Sequence, residues 1–311
     1  MNHKHTDLNR VHHINWSHGK TVLLLMTIPS FLFVLVFSYV PIFGWAYAFF
    51  DYSIGMKLSQ CDFRGLYFIK LALSDTYLLG VLKNTLALSF LGLLNLPLAC
   101  IFAIFLSQMK GRIYKKFIQS AATLPFFISW VIVFSMAYSL FAIDNGLVNK
   151  VLLDLNVISS PIDPIANGGF AWIFQTSLAL WKGVGYNAII FFAAIAGIDT
   201  QLYDAADVDG AGRFKKMWHV TIPGIIPTFI TLMLIGIGFM LSNGFDQYYV
   251  FMNPMVQEKI EVLDYYVYKV GLMQNDVTVG TALSMTKTIV SVLLLFSVNF
   301  LSKKARGQSI L

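Results

Sequence analysis

Polar and apolar positions along this chain fall in long blocks, not with the short period of a strand or an amphipathic helix. Six blocks, at 21–50, 84–107, 117–140, 170–198, 224–243 and 281–301, are almost wholly apolar. Each holds about the 20 residues that a helix needs to cross the hydrocarbon of a bilayer. They predict an all-α integral membrane protein with six transmembrane helices. Polar tails at 1–20 and 302–311 flank a transmembrane domain at 21–301. The more polar 51–83 segment, with Phe63-Arg64-Gly65-Leu66 and Ser74-Asp75, is long enough for a small helix lying on the outer surface. A polar loop at 142–169 carries Asp144, Asn145, Asp154 and Asp163, with Pro161, Pro164 and Gly168-Gly169 as its turn residues.

Composition supports this reading. Of 311 residues, 57% are apolar and 12% charged, too greasy for an ordinary soluble domain. Charge then orients the chain. Lys4, Arg10 and Lys20, then Lys110, Arg112, Lys115 and Lys116, then Arg213, Lys215 and Lys216, and last Lys303, Lys304 and Arg306 lie in alternate polar segments. Short basic segments stay cytoplasmic, so both termini are expected inside. The opposite side holds Asp246, Glu258, Glu261, Asp264 and Asp276.

Several chemistries are excluded. The net charge of +6 is modest and spread between apolar runs, which is no nucleic-acid footprint. Cys61 and Cys100 are far apart and form no disulfide framework. The tail histidines His3, His5, His12, His13 and His18 have only Asp7 near them and read as a solvated tail. Gly19-Lys20-Thr21 mimics the end of a phosphate-binding loop, but Ile14 stands where its first glycine is required. Ala46-Tyr47-Ala48 follows a run too long for a cleaved signal peptide. No catalytic triad, paired carboxylate site or metal-ligand spacing is present, so no enzyme is expected.

The densest charged interruption is 203–223. It predicts two helical pieces: one over 204–209, broken by Gly210-Ala211-Gly212, and an amphipathic one from Arg213 to about Val220, with Pro223 opening the next apolar run. Asp204-Ala205-Ala206, three residues, Gly210, nine residues, then Val220-Thr221-Ile222-Pro223 resembles the coupling-helix ("EAA") motif of ABC importer permeases. Asp209 and Ala211 fit the D-G-A often found there. Asp204 replaces the motif's Glu, and Val220 and Ile222 replace its Ile and Leu. The resemblance implies a type I ABC importer permease whose segment 203–223 seats in a cytosolic ATPase, with Asp204 pairing a basic group and Gly210 turning the chain.

Polar groups inside spans are costly and mark partners, cavities or pathways. The fourth block holds Trp181-Lys182-Gly183-Val184-Gly185-Tyr186-Asn187. This polar–aromatic face suits either a sugar ring or helix packing with Lys182 snorkelling to an interface. The segment is similar to the maltose-type sugar permeases. Counted from the coupling motif, Trp181, Gly183, Tyr186, Phe239 and Asn243 fall on residues of that family's transmembrane sugar site. Where the family has Asn, Leu, Ser and Asn, this chain has Ala179, Lys182, Gly236 and Met240. Lys182 would suit an acidic sugar, or hydrogen-bond a hydroxyl. Gly244-Phe245-Asp246-Gln247-Tyr248-Tyr249-Val250 and Asp264-Tyr265-Tyr266-Val267-Tyr268 resemble the oligosaccharide subgroup named after the lipoprotein-linked permease B. These tyrosines read as contacts for a binding protein or sugar, or as an aromatic belt.

The resemblance implies an oligosaccharide importer. Its partners would be a second, homologous permease in a heterodimer, two cytosolic ATPase subunits that bind ATP and Mg, and an external sugar-binding lipoprotein. It implies a bacterial cell membrane. An ABC permease for another solute and a secondary transporter are the rival readings. The latter needs ionisable groups inside the bundle, for which Lys182 and Lys287 are the candidates, with no intramembrane acid beside them.

Overall fold

The computed structural model describes residues 16–306, and these are nearly all helical, with one isolated antiparallel bridge between Phe50 and Phe63. The tail histidines, whose metal-binding reading was set aside above, lie outside the residues whose side chains are described.

The first apolar block forms α1 (Trp16–Val34), a π-helical turn (Leu35–Tyr39) and a 3-10 helix (Val40–Phe49) in succession. Leu23, Met26, Phe33 and Phe37 of this element stand exposed. Only near its end does it join a core, where Trp45, Ala48 and Phe49 pack with Phe68, Ala282 and Met285. The predicted surface helix is α2 (Tyr67–Ser74). Asp75 then caps α3 (Thr76–Gly92), accepting from the Tyr77 N–H at 2.8 Å. With α4 (Asn95–Ser107) it builds a second span that begins well before residue 84.

The third block does not form a straight span. Chain 112–141 divides into α5 (Arg112–Thr123) with a 3-10 turn at Leu124–Phe127, and α6 (Trp130–Phe141), bent by 101°. Pro125 lacks a donor and Ser129 caps the new helix at Ile132, so the break is written locally. Among the described residues, five helices are thus long and apolar enough to span, and six counting this bent pair as one.

After α7 (Leu147–Asp154), the central helix is α8 (Ala171–Ala196). It crosses α4 on small residues, with Ala99, Ala103 and Ala188 fully buried beside Phe191. Alanines let two helices approach closely where the hydrophobic effect offers no drive. Next come α9 (Thr200–Val208), α10 (Arg213–Lys216), a π-helical turn (Met217–Thr221) and α11 (Ile222–Gly238). The fifth span was expected to reach residue 243, but its helix stops at Gly238. A Cβ there would lie 2.7 Å from Leu295 Cδ1, and Gly236 and Gly238 weaken the last turn.

The chain continues through α12 (Asp246–Phe251), α13 (Gln257–Ile260), α14 (Leu263–Tyr268), a π-helical turn (Lys269–Met273) and α15 (Val277–Arg306). The main core joins α6, α8 and these short helices through Val133, Ala137, Phe174, Tyr248 and Phe251. A polar latch ties α13 and α14 to α3. Glu261, 1% exposed, accepts from the Tyr77 hydroxyl, Gln257 Nε2 (3.0 Å) and Lys269 Nζ (3.0 Å). Asn84 Nδ2 donates to the Glu258 and Glu261 carbonyls at 2.9 and 3.2 Å.

Candidate coupling segment and substrate pathway

The 203–223 segment is built as its residue types dictate. Asp199 caps α9, accepting from the Gln201 N–H at 3.0 Å, a start signal that the sequence reading passed over. At the other end, the Ala211 N–H reaches the Ala206 carbonyl (2.8 Å) and the Gly210 N–H reaches Asp207 (3.0 Å). This pair of bonds is a Schellman motif, with Gly210 at its left-handed position at φ +68°. No atom lies within 4 Å of where a Gly210 Cβ would stand, so backbone conformation and not space calls for glycine. Ala206 and Ala211, both half-buried, occupy the two sites whose apolar contact accompanies that motif.

Asp204, Ala205, Asp209 and Gly210 are exposed, as are Leu202, Val208, Phe214 and Trp218. The outer face of the segment is therefore an acid-tipped apolar patch. Its inner face is held on the helix that leads into α11: Lys216 of α10 pairs with Asp207 of α9, and the Tyr203 hydroxyl meets Thr221 Oγ1 of the π-helical turn at 3.0 Å. From α10 through the π-helical turn into α11 the helix is unbroken, so Pro223 is interior to it and falls just past the widened turn.

At the far end of α11 the irregular backbone after Gly238 opens a cavity of about 300 Å³. Phe239, Met240 and Asn243 line it with Ala179, Gly236, Thr176 and Gln247. Irregular backbone at membrane depth is tolerated where it lines a cavity. Asn243 Nδ2 donates to the Thr85 carbonyl at 3.2 Å, while Asn243 Oδ1 and Thr176 Oγ1 are buried without a partner. Ser89 donates to the Met240 carbonyl, and Gln247 Nε2 to Gln175 Oε1 at 2.8 Å. Thr176, Ser89 and Gln247 were not singled out from the sequence. Thr176 stands one turn before Ala179, and a polar residue at that spacing was the available signal.

The other expected pathway residues lie elsewhere. Gly183 lets α4 approach: a Cβ there would stand 2.5 Å from Asn95 Nδ2, and Asn95 Oδ1 accepts from Asn187 at 2.7 Å. Gly185 faces the bent span, where a Cβ would lie 2.0 Å from the Ala122 carbonyl oxygen. The Tyr186 ring stacks on Phe126, centroids 3.7 Å apart and planes 3° from parallel. Trp181, 45% exposed, does not line the cavity.

Lys182 departs from the role of a free sugar-reading cation. Its Nζ donates to the carbonyls of Pro125 (3.2 Å), Phe126 (2.5 Å) and Ile128 (2.5 Å), and it lies 5.5 Å from the Phe126 and Trp130 ring centres. Its three donors meet three carbonyls at the break, of which that of Pro125 also accepts from the Ile128 N–H at 3.2 Å. Lys287 also differs from expectation. It pairs with Asp264, an acid that the sequence reading placed with the outer loop.

These features agree with known proteins. Residues 95–307 match the family of binding-protein-dependent transport system inner membrane components. Protein LplB of Bacillus subtilis (strain 168) is 34% identical over 283 residues, 91% of this chain and 88% of that one. The polygalacturonan/rhamnogalacturonan transport system permease YteP of the same organism is 36% identical over 290 residues, 93% and 89% of the two chains. Among solved structures, a chain of a bacterial alginate ABC transporter in complex with an alginate pentasaccharide-bound periplasmic protein superposes with a TM-score of 0.84. It is 27% identical, and the match covers 94% of this chain and 99% of that one. With the helical order, the exposed Schellman-capped segment and the cavity at the broken end of α11, these matches establish that the chain is a type I ABC importer permease, a non-enzymatic membrane component belonging to the binding-protein-dependent transport family.

Proposed function

We propose that this chain is one permease of a heterodimeric, ATP-driven importer of oligosaccharides, with fragments of acidic polysaccharides as the first candidates. The observation that carries the reading is physical continuity. A solvent-facing, acid-tipped segment is fixed to the base of the helix whose other end opens the cavity holding Phe239, Met240 and Asn243. Two cytosolic ATPases bind ATP and Mg, and their closure moves the coupling segment, with Asp204 against a basic group of the ATPase. The second permease supplies the opposite wall, and a sugar-binding lipoprotein delivers the glycan from outside. The basic segments at 110–116 and 213–216 support a cytoplasmic position for the coupling segment and both termini. Phe239 offers a ring face, and the unpartnered Asn243 Oδ1 and Thr176 Oγ1 offer hydrogen bonds to sugar hydroxyls. The substrate class follows the relatives' named substrates, since the Lys182 ammonium is engaged with backbone.

The test is ATP hydrolysis by the reconstituted complex with binding protein and a panel of neutral and acidic oligosaccharides. The wild type is expected to be stimulated by one glycan class. Asp204→Ala with Gly210→Pro should lose that stimulation while still assembling. Wild-type activity indifferent to every oligosaccharide would overturn the substrate class. A variant indistinguishable from wild type would overturn the coupling role.

A further inference from the structure

A second, larger cavity of about 790 Å³ borders the one at the end of α11 and shares Ser242 with it. Trp181, Lys182, Gly183, Tyr186, Phe239, Met240 and Asn243 do not line it, whereas Tyr268, one of the tyrosines read as contacts for a binding protein or sugar, does. Its floor is a face of α15 on which Thr281, Ser284 and Lys287 recur every three residues. One wall is α14 with its π-helical turn, the other the 3-10 end of the first span, where Trp45 stands. The walls are set by glycine: a Cβ on Gly280 would lie 2.6 Å from Gly271 Cα. That close approach brings Asp264 of α14 onto Lys287 of α15.

Three features distinguish this cavity from a packing defect or a lipid groove. A polar stripe along a membrane helix is costly and marks a path or partner. The Lys287–Asp264 pair is more than four-fifths buried, yet the Nζ has a single hydrogen bond, so a cation with spare donors faces the space. Aromatic faces flank these polar groups, with Phe245 and Tyr268 4.8 Å apart at their ring centres. Ring faces beside hydroxyls and a neutral ion pair fit a pyranose, whose C–H face stacks while its hydroxyls donate and accept. An acyl chain would leave the pair unused. The volume is that of a small-molecule site, whereas the cavity at Asn243 is at the lower end of that range.

We infer that this groove is a second glycan subsite, which takes the sugar units of a longer oligosaccharide beyond the unit held at Asn243. The inference rests on the oligosaccharide reading above. It makes the Lys287–Asp264 pair and the Thr281–Ser284 stripe determinants of chain length and not of sugar charge, because the pair is neutral as a whole.

The test uses the full complex, with partner permease, ATPases and binding protein, and galacturonan di- and hexasaccharides as probes. Ser284→Phe fills the groove and leaves both residues of the ion pair unchanged in sequence. It is expected to lower hexasaccharide-stimulated ATP hydrolysis and uptake about tenfold, the scale of one lost pocket contact, and to leave the disaccharide within about twofold. Equal loss for both lengths, or loss for neither, overturns the subsite alone. Wild-type complex that responds to no oligosaccharide overturns both the subsite and the substrate reading beneath it. A second measurement needs no activity. Ser284→Cys, in a chain carrying Cys61→Ser and Cys100→Ala, should react with a hydrophilic maleimide in the assembled complex and be protected by the hexasaccharide. A cysteine already shielded without glycan places the partner permease in the groove and overturns the inference, as does labelling that the hexasaccharide leaves unchanged.

Discussion

Gly210 and Lys182 each close a helix end, in opposite ways. Gly210 does so by conformation, at φ +68° with free space around it. Alanine there is expected to cost about 1–2 kcal/mol, and asparagine, which tolerates this region, less. The order should appear as retained glycan-stimulated ATP hydrolysis: glycine first, then asparagine, then alanine. Lys182 closes its end by chemistry, with an ammonium on three carbonyls. Lys182→Met removes all three donors and should cost about 2–4 kcal/mol, read as a lower melting temperature of the detergent-solubilised complex. The ratio of acidic to neutral glycan uptake should stay unchanged, because the cation faces backbone. These two residues also show what was legible. The Schellman turn is local, its bonds spanning three and five residues, so the Gly210-Ala211-Gly212 run marked a break there, though not the form of its cap. Lys182 meets carbonyls 54 to 57 positions away, and no pattern around it announces them.

At the scale of elements, sequence blocks marked where helices lie but not where they break. The bend at Pro125 and the early stop at Gly238 both fall inside apolar runs, where periodicity carries no boundary signal. Those breaks make the site. Phe239, Met240 and Asn243 line a cavity because they lie past the helix end, and Trp181, one helical face away, does not join them. The latch between α3 and α13–α14 yields a prediction of its own. Burial works against the Lys269 ammonium, but the Glu261 carboxylate and the Tyr77 hydroxyl outweigh it and its pKa is raised. The stabilisation from this ion pair is therefore fully present below the ordinary lysine value and is lost as pH rises through the raised one. Hydrogen exchange over 257–268, corrected for its intrinsic rate, should be flat from neutral to moderately alkaline pH. Lys269→Met should raise it at neutral pH, since Glu261 keeps its burial and loses its countercharge.

For the molecule as a whole, the unevenness of burial matters most. The first span packs on the rest of the chain only near its end, at Trp45, Ala48 and Phe49, and its preceding turns expose large apolar side chains. In a heterodimer that surface has a natural cover. Expression of the chain with its partner permease should raise the membrane-integrated yield several-fold over expression alone, measured by quantitative immunoblot. Deleting residues 1–43 should remove most of that gain and leave the core of α6, α8 and α12 intact, seen as retained protease resistance. The apolar blocks that counted its spans were readable at this scale, because each is an average over many residues.

The π-helical turn at Met217–Thr221 carries one more consequence. A single residue more or less in a helix rotates everything beyond it by about 100°. The widened turn therefore works as a phase adjuster: it sets the angle between the exposed face of the 203–216 segment and the face that ends in the cavity. Chimaeras that borrow the docking segment of another transport system should remain functional when the graft ends before Met217. A graft that cuts into the turn, or shortens it by one residue, would point a correct docking surface and a correct cavity in mismatched directions.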